Sequence, residues 1–148
     1  MIRLGLIGYG YWGPNLMRNF AEVENAELVT VCDLHPDRLN LVKNRYPTIQ
    51  VTQDYNDLLT DPHIDAIAIA TPVDTHFDLV WQALQHDKHV FVEKPLTNQV
   101  DKAIRVIDEA DRRQKVLMVD HTFVYTGAVQ KIKRIIEEGT LGDLYYYD

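Results

Sequence analysis

The chain has 148 residues, which is about the length of one ordinary domain. Apolar residues make up 46% of it and charged residues 25%, with only 7 glycines and 6 prolines, so disordered, collagenous and coiled-coil classes are excluded. The net charge is −7 and no segment concentrates lysine and arginine, which argues against a nucleic-acid partner.

Membrane insertion and export are not indicated either. The longest apolar runs are far shorter than the roughly 20 residues that cross a bilayer. The N-terminus lacks the basic and apolar succession of a secretory signal. The single cysteine, Cys32, has apolar neighbours and cannot form an internal disulfide, so we expect a small buried thiol and a reducing, cytoplasmic location.

Short apolar runs alternate with segments of helical period, the pattern of a parallel α/β sheet. The predicted elements of the first half are, in chain order, a strand at 2–7, a helix with apolar positions within 12–23, a strand at 27–32, a helix from Pro36, a short strand at 49–52, a short helix at 55–59 and a strand at 66–70.

The second half continues the alternation of helices and strands. Thr75 and Asp78 are spaced like a capping box, and the helix that follows them should be buried along one apolar stripe. The stripe of this helix is Phe77, Val80, Trp81 and Leu84, and a strand at 89–92 follows it. Next come a helix at 100–114 that should bury Val100, Ala103, Ile104, Ile107 and Ala110, and a strand at 116–119. A last helix should bury Val129, Ile132, Ile135 and Ile136 and end at a left-handed Gly139, and a further strand begins at 144–147.

A G-x-G-x-x-G sequence at residues 8–13 lies directly between the first strand and the first helix. Its three glycines suit a tight turn, the close approach of a pyrophosphate to the backbone, and close packing of helix on strand. The helix N-terminus would add free N–H groups and partial positive charge. The motif therefore indicates dinucleotide binding, with an ordinary tight turn as the alternative.

Asp33 closes the second strand, 20 residues after Gly13. A carboxylate at this place can accept hydrogen bonds from an adenosine ribose and would repel a 2′-phosphate, so NAD is favoured over NADP as the cofactor. The alternative role is a cap for the helix at Pro36. Arg38 could reach a 2′-phosphate, although we expect it to be a solvated helix residue.

Two further loops follow predicted strands, at 71–76 and at 93–95. Ligands of open α/β sheets bind outside the carboxyl ends of the strands, where both loops should lie. Lys94 precedes a proline and is therefore held extended, so its ammonium could steady a substrate oxygen while a hydride leaves the neighbouring carbon. The alternatives are an exposed lysine paired with Glu93 and, for His76, a helix-capping role.

Together these residues resemble the N-terminal half of the glucose-fructose oxidoreductase and inositol 2-dehydrogenase family (Gfo/Idh/MocA). The resemblance covers essentially the whole chain. Its later segments are similar to those of members that act on nucleotide-linked sugars. The residues that carry it are 8–13, Asp33, 70–72 with Thr75 and His76, 93–95, 121–125, 127–129 and 139–144.

The resemblance implies a doubly wound Rossmann sheet with strand order 3-2-1-4-5-6 and a bound NAD. It also implies a role for each matching position. The dinucleotide would bind on Gly8, Gly10 and Gly13 with the Tyr11 and Trp12 backbone nearby, and its adenosine ribose on Asp33. The nicotinamide would lie along Thr71, Pro72 and His76 with the nicotinamide ribose near Glu93, and Lys94 would be the catalytic group between cofactor and substrate. His121 matches the edge of the site and is given no catalytic role. No metal site is predicted.

Family members are normally more than twice this long, so the resemblance implies that a C-terminal substrate domain is missing. Residues 1–122 are predicted to form the dinucleotide-binding domain, and 123–148 a helix and first strand that lead to the absent domain. We expect the NAD-binding half of a sugar or nucleotide-sugar dehydrogenase that is inactive alone. The alternative is a non-catalytic dinucleotide-binding or engineered fragment; a methyltransferase is disfavoured by 93–95. The tyrosines at 145–147 on an unpaired strand edge suggest self-association.

Overall fold

A computed structural model describes residues 1–146. Six strands form one parallel sheet: β1 (Ile2–Ile7), β2 (Ala26–Cys32), β3 (Gln50–Thr52), β4 (Ala66–Ile69), β5 (His89–Glu93) and β6 (Leu117–Asp120). Their spatial order is β3-β2-β1-β4-β5-β6. This order and the doubly wound Rossmann class are confirmed.

Helices connect the strands on both faces of the sheet. They are α1 (Gly13–Glu22), α2 (Pro36–Arg45), α3 (Asn56–Thr60), α4 (His76–Gln85), α5 (Val100–Arg113) and α6 (Gly127–Glu137), with short 3-10 turns at Val73–Thr75 and Thr122–Tyr125. The element order is as predicted, with bounds that differ by a few residues.

The alternation of side chains along β4 shows how the two layers form. Ala66 and Ala68 pack with buried residues of α1 and α2 on one face. Ile67 and Ile69 pack with buried residues of α3, α4 and α5 on the other. Because β4 is buried on both faces, it is apolar throughout rather than alternating, as expected of a central parallel strand.

The prediction for the buried stripe of α5 is largely wrong. Its buried positions are Val106, Glu109 and Ala110. Val100, Ile104 and Ile107 are exposed instead, Val100 by 75%. The helix is amphipathic as predicted, but α4 packs against only part of its apolar stripe, and no element of residues 1–146 covers the rest.

The C-terminal segment also differs from expectation. None of the predicted apolar residues of α6 is buried. Gly139 is left-handed, with φ of 65°. The Thr140 and Gly139 N–H groups bond the Ile135 and Ile136 carbonyls, which confirms the predicted C-cap. Residues 144–146 form no strand, and Tyr147 lies outside the described residues.

A strand is stable only when a neighbour accepts its hydrogen bonds, and residues 1–146 offer none here. Residues 144–146 therefore present no strand edge through which the predicted self-association could occur. The division at residue 122 remains a prediction. Within residues 1–146, no helix is long and apolar enough to cross a membrane.

Candidate functional site

A cavity of about 860 Å³ opens at the carboxyl ends of β1, β2, β4 and β5. It brings together all but one of the predicted site residues: Gly8, Gly10, Tyr11, Trp12, Asp33, Thr71, Pro72, His76, Glu93 and Lys94. Gly13 lies behind this wall as the buried first residue of α1. Parallel strands end at the same edge of a sheet, which explains why positions so far apart in sequence meet.

Two of the three glycines of the turn are required by the fold itself. Gly8 has φ of 98°, and a Cβ there would lie 2.6 Å from the Ala70 carbonyl oxygen. A Cβ on Gly13 would lie 2.5 Å from the Gly8 carbonyl oxygen. Any side chain at either position would therefore collide with backbone.

Gly10 is different, because no described residue requires a glycine there. Apart from the adjoining residues of the chain, the only atom of residues 1–146 within 4 Å of a Cβ at this position would be the Arg38 Nη1, at 3.8 Å, and the φ of Gly10 lies outside the left-handed region. The absent side chain would face the cavity. A ligand that approaches the backbone closely accounts for this glycine, so the turn fits a pyrophosphate group.

The aromatic residues of the turn lie at the cavity mouth. Tyr11 is 88% exposed and Trp12 is 45% exposed. Their rings meet edge to face, with centroids 5.6 Å apart. Both residues line the same cavity as Gly10.

Asp33 is buried at the end of β2 and is held by three donors. Its Oδ2 accepts from the Tyr9 N–H at 2.7 Å and its Oδ1 from the His35 N–H at 2.8 Å. The Arg38 Nη1 donates to Oδ2 at 3.2 Å. Burial raises the pKa of the Asp33 carboxyl, but these hydrogen bonds together hold it below its usual value. The carboxyl is therefore a carboxylate at neutral pH.

Arg38 is exposed to solvent, as we expected, but it also forms an ion pair that the sequence did not predict. Its side chain is 44% exposed, is paired with Asp33, and lines the cavity. The guanidinium thus lies across the side of the cavity where the sequence predicted an adenosine ribose. It partly neutralises the charge that was expected to exclude a 2′-phosphate.

The loop after β4 is held by its own side chains. The Thr75 hydroxyl is hydrogen-bonded to the Thr71 hydroxyl and to the Pro72 carbonyl, both at 2.7 Å. Because Thr75 turns back to this loop, no side chain caps α4, and the predicted capping box with Asp78 is wrong.

His76 begins α4 and is almost fully buried. Its Nδ1 lies 2.9 Å from the Pro95 carbonyl oxygen, and its Nε2 lies 2.9 Å from the Thr71 carbonyl oxygen. Both ring nitrogens are therefore engaged by the two loops that border the cavity. The structure places His76 between these loops.

Glu93 is buried at the end of β5, opposite Asp120 of β6 in the strand register. Burial first, and then the Asp120 carboxyl, raise the pKa of Glu93. Lys94 follows and is exposed to the cavity, and its peptide bond to Pro95 is cis. Among residues 1–146 no carboxylate pairs with the Lys94 ammonium, so the expected alternative of a Glu93–Lys94 ion pair is not formed.

Several residues at this edge were missed from the sequence. The cavity is also lined by Leu34, His35, Gln53, Tyr55, Asp74 and Asp78. Gln53 follows β3, just as Asp33 follows β2, so the rule about carboxyl ends of strands could have found it. In the described part of the chain no group of three or more metal-ligating side chains is placed to hold a metal ion.

Comparison with known proteins tests the resemblance directly. Residues 2–121 match the model of the GFO_IDH_MocA family, described as an oxidoreductase family with an NAD-binding Rossmann fold. The chain belongs to this family. The resemblance drawn from residues 8–13, Asp33 and 93–95 is thereby confirmed.

Curated relatives match along nearly the whole chain. A myo-inositol 2-dehydrogenase of Thermotoga maritima is 30% identical over 95% of the chain, and the uncharacterized oxidoreductase YdgJ of Escherichia coli is 35% identical over 99% of it. A glycosyl hydrolase family 109 protein of Shewanella putrefaciens is 32% identical over 99%. The chain spans only 42%, 42% and 34% of the lengths of these relatives.

Solved structures of similar fold include an NAD-binding protein from Listeria innocua, with a TM-score of 0.87 and 29% identity. That match covers 96% of this chain and 42% of the other. A scyllo-inositol dehydrogenase from Lactobacillus casei, solved with bound NAD(H) and scyllo-inositol, matches with a TM-score of 0.89 over 97% of this chain and 43% of its own. At 23% identity this second likeness bears on the fold alone.

Proposed function

We propose that this chain is the cofactor-binding part of an NAD-dependent oxidoreductase that acts on a secondary alcohol of a sugar or cyclic polyol. The main support for this proposal is that the glycine turn, Asp33 and Lys94 line one cavity at the carboxyl edge of the sheet. NAD binding is also the property by which the matched family is described.

The residues of the cavity fit the successive parts of a dinucleotide. The open side of Gly10 and the N-terminus of α1 suit the pyrophosphate. The Asp33 carboxylate suits the hydroxyls of the adenosine ribose, and Thr71 and Pro72 would lie along the nicotinamide with Glu93 near its ribose. When bound, the nicotinamide supplies the chemistry of accepting or returning a hydride.

Lys94 is the group we propose to act on the substrate. Its ammonium faces the cavity and has no internal carboxylate partner among residues 1–146, so it can donate a hydrogen bond to the alcohol oxygen. Such a bond strengthens as the oxygen gains negative charge, which favours the alkoxide in the transition state. Because burial and Asp120 favour the neutral form of Glu93, competition for the ammonium is reduced.

We propose that NAD is preferred over NADP as the cofactor. The difference in affinity between the two should be smaller than Asp33 alone would produce. The carboxylate is ionised and would repel a 2′-phosphate. Arg38 is bonded to that carboxylate at 3.2 Å and would offset part of the repulsion. The size of the preference then depends on how far Arg38 moves toward the ligand.

The substrate proposal rests on two supports. The relative from Thermotoga maritima is named for myo-inositol, a cyclic polyol. The segments at 121–125, 127–129 and 139–144 resemble those of family members that act on nucleotide-linked sugars. Both substrates present a secondary alcohol on a six-membered ring, so the same use of Lys94 serves either.

We propose that turnover requires residues that are not in this chain. The curated relatives are more than twice as long as their matched part. A base must take the alcohol proton while Lys94 steadies the oxygen, and we place that base in the remaining part of a longer protein. We also propose a reducing, cytoplasmic location, because the single cysteine has no partner for an internal disulfide.

A second candidate reaction is glycoside hydrolysis that depends on NAD. Relatives named for glycosyl hydrolase family 109 are 30 to 32% identical over 99% of the chain. Some glycosidases use NAD rather than a pair of carboxylates, so the same cofactor site could serve either reaction. Incubating a longer protein that contains this chain with free polyols and with aryl glycosides would separate the two.

Calorimetric titration of this chain with NAD and with NADP tests the proposal. We expect NAD to bind more tightly, and Asp33→Ala to narrow the preference. Asp37→Ala is the matched control, because it removes one carboxylate from the exposed first turn of α2. Binding of neither nucleotide to a folded chain would refute the proposed cofactor site.

The variant Lys94→Ala tests whether Lys94 acts in turnover or only in cofactor binding. In a longer protein that turns over, this change should abolish turnover while NAD binding is largely kept. Lys131→Ala on the exposed surface of α6 is the control for loss of a positive charge. If turnover survives Lys94→Ala, the role of Lys94 is wrong; if this chain alone oxidises polyols, its proposed incompleteness is wrong.

A further inference from the structure

His76 joins two loops that the sheet itself does not hold together. The ladder between β4 and β5 ends at the pair Ile69 and Val92. Beyond it, the chain continues on one side to Thr71 and on the other to Lys94. The His76 ring bridges these two segments, with a main-chain carbonyl oxygen 2.9 Å from each nitrogen.

The chemistry of these two contacts constrains the ring. A carbonyl oxygen only accepts hydrogen bonds, and a neutral imidazole has one N–H and one bare nitrogen. The neutral ring could therefore bond either the Thr71 carbonyl or the Pro95 carbonyl, and its bare nitrogen would face the lone pairs of the other. Only the doubly protonated ring donates to both.

Burial adds to the effect of these two contacts. His76 is almost fully buried, so water does not compete with the ring for either carbonyl group. Whichever nitrogen carries the proton, the ring lies between the Thr71 and Pro95 carbonyls and sets the separation of the two loops.

We propose that His76 is a positioning residue that ties the Lys94–Pro95 segment to Thr71 and so directs the Lys94 ammonium into the cavity. This inference rests on the proposed function, because it concerns how Lys94 meets a bound cofactor. It also changes the role that the family resemblance implied for His76. The ring acts through the two loops, since both of its nitrogens are already engaged by protein.

The link between the two loops can be tested without cofactor. Hydrogen exchange of the Thr71 and Lys94 amides, followed by NMR in the ¹⁵N-labelled chain, measures how often the two segments open. We expect both amides to exchange faster in His76→Phe than in the original chain. Exchange as slow as in the original chain would overturn the proposal.

Positioning of Lys94 is tested with NAD as the probe. We expect NAD to shift the NMR signals of the Gly10 amide and of the labelled Lys94 side chain in the original chain. In His76→Phe, which keeps the ring volume but has no N–H, the shift at Gly10 should persist and the shift at Lys94 should be lost. His86→Phe is the matched control, because the exposed His86 ring bonds only the Gln82 carbonyl of its own helix.

The outcomes separate the two proposals. No shift at Gly10 in the original chain would refute the proposed function, and amide exchange in His76→Phe would still decide whether His76 ties both loops. A Lys94 shift in His76→Phe equal to that of the original chain would overturn the positioning role. If His76→Phe does not fold, His76→Gln, which can donate to one carbonyl, should retain part of the Lys94 shift.

Discussion

Replacing Gly10 by alanine should separate cofactor binding from folding. Apart from the adjoining residues of the chain, a Cβ at Gly10 would meet no atom of residues 1–146 closer than 3.8 Å, and the backbone is not left-handed. Such a change leaves the folded state unstrained and restricts the unfolded chain, so the free energy of unfolding should stay equal or rise by up to about 1 kcal/mol. The new methyl group would, however, lie where the pyrophosphate approaches, and we expect NAD affinity to fall at least about tenfold, or about 1.4 kcal/mol.

Gly8→Ala is the matched control, since it adds the same methyl group to the same turn. Here φ is 98° and the Cβ would lie 2.6 Å from the Ala70 carbonyl oxygen. The left-handed backbone alone costs about 1–2 kcal/mol for a residue with a Cβ, and the collision adds to it. We therefore expect a loss of more than about 2 kcal/mol of stability.

Urea unfolding followed by circular dichroism measures the stability of both variants, and calorimetric titration with NAD measures the affinity of the folded ones. The reasoning fails in either of two cases. In the first, Gly10→Ala is destabilised as much as Gly8→Ala, so that Gly10 serves the fold. In the second, Gly10→Ala is stable and binds NAD as the original chain does, so that the open side of Gly10 is not a ligand site.

Three further predictions follow from charged groups. Arg38→Ala should widen the preference for NAD over NADP about tenfold in titrations, because it leaves Asp33 without its counter-ion; Lys43→Ala on the same helix is the control, and an unchanged ratio would contradict the expectation. Arg112 and Arg113 hold the pKa of Glu109 at about 2, below the unfolded value of about 4.3. The ionised Glu109 therefore contributes its full stabilisation above pH of about 4.3 and loses it as the pH falls toward 2. Acid unfolding of Glu109→Gln should depend less on pH in this window. Arg105 lies 5.0 Å above the Phe77 ring and 5.2 Å above the Trp81 ring, so Arg105→Ala should cost about 1 kcal/mol in urea unfolding, and no loss would refute these contacts.

Local patterns in the sequence were sufficient to predict the alternation of strands and helices and most of the site. The glycine spacing, the acidic residue after β2 and the lysine after β5 depend on short segments and on one rule, that parallel strands end at a common edge. Gly8, Gly10, Asp33 and Lys94 could therefore be assigned to one cavity from the sequence alone. The family match agrees with that assignment of the fold.

Burial on the outer helices could not be predicted in the same way. Helical period identifies an apolar stripe on α5 and on α6, but whether a stripe is covered depends on what packs against it. Ile104 and Ile107 are exposed because α4 contacts a neighbouring part of α5. The same reason applies to residues 144–146, where strand-forming side chains find no partner strand.

The chain by itself determined the order of its elements, the glycine turn and the identity of the charged groups at the ends of its strands. Only the tertiary structure decided which groups meet: Arg38 with Asp33, Asp120 with Glu93, and His76 with the Thr71 and Pro95 carbonyls. These contacts depend on strand register and on the path of each loop. A hydrogen bond requires placement to within a few tenths of an ångström, which neither periodicity nor spacing can specify.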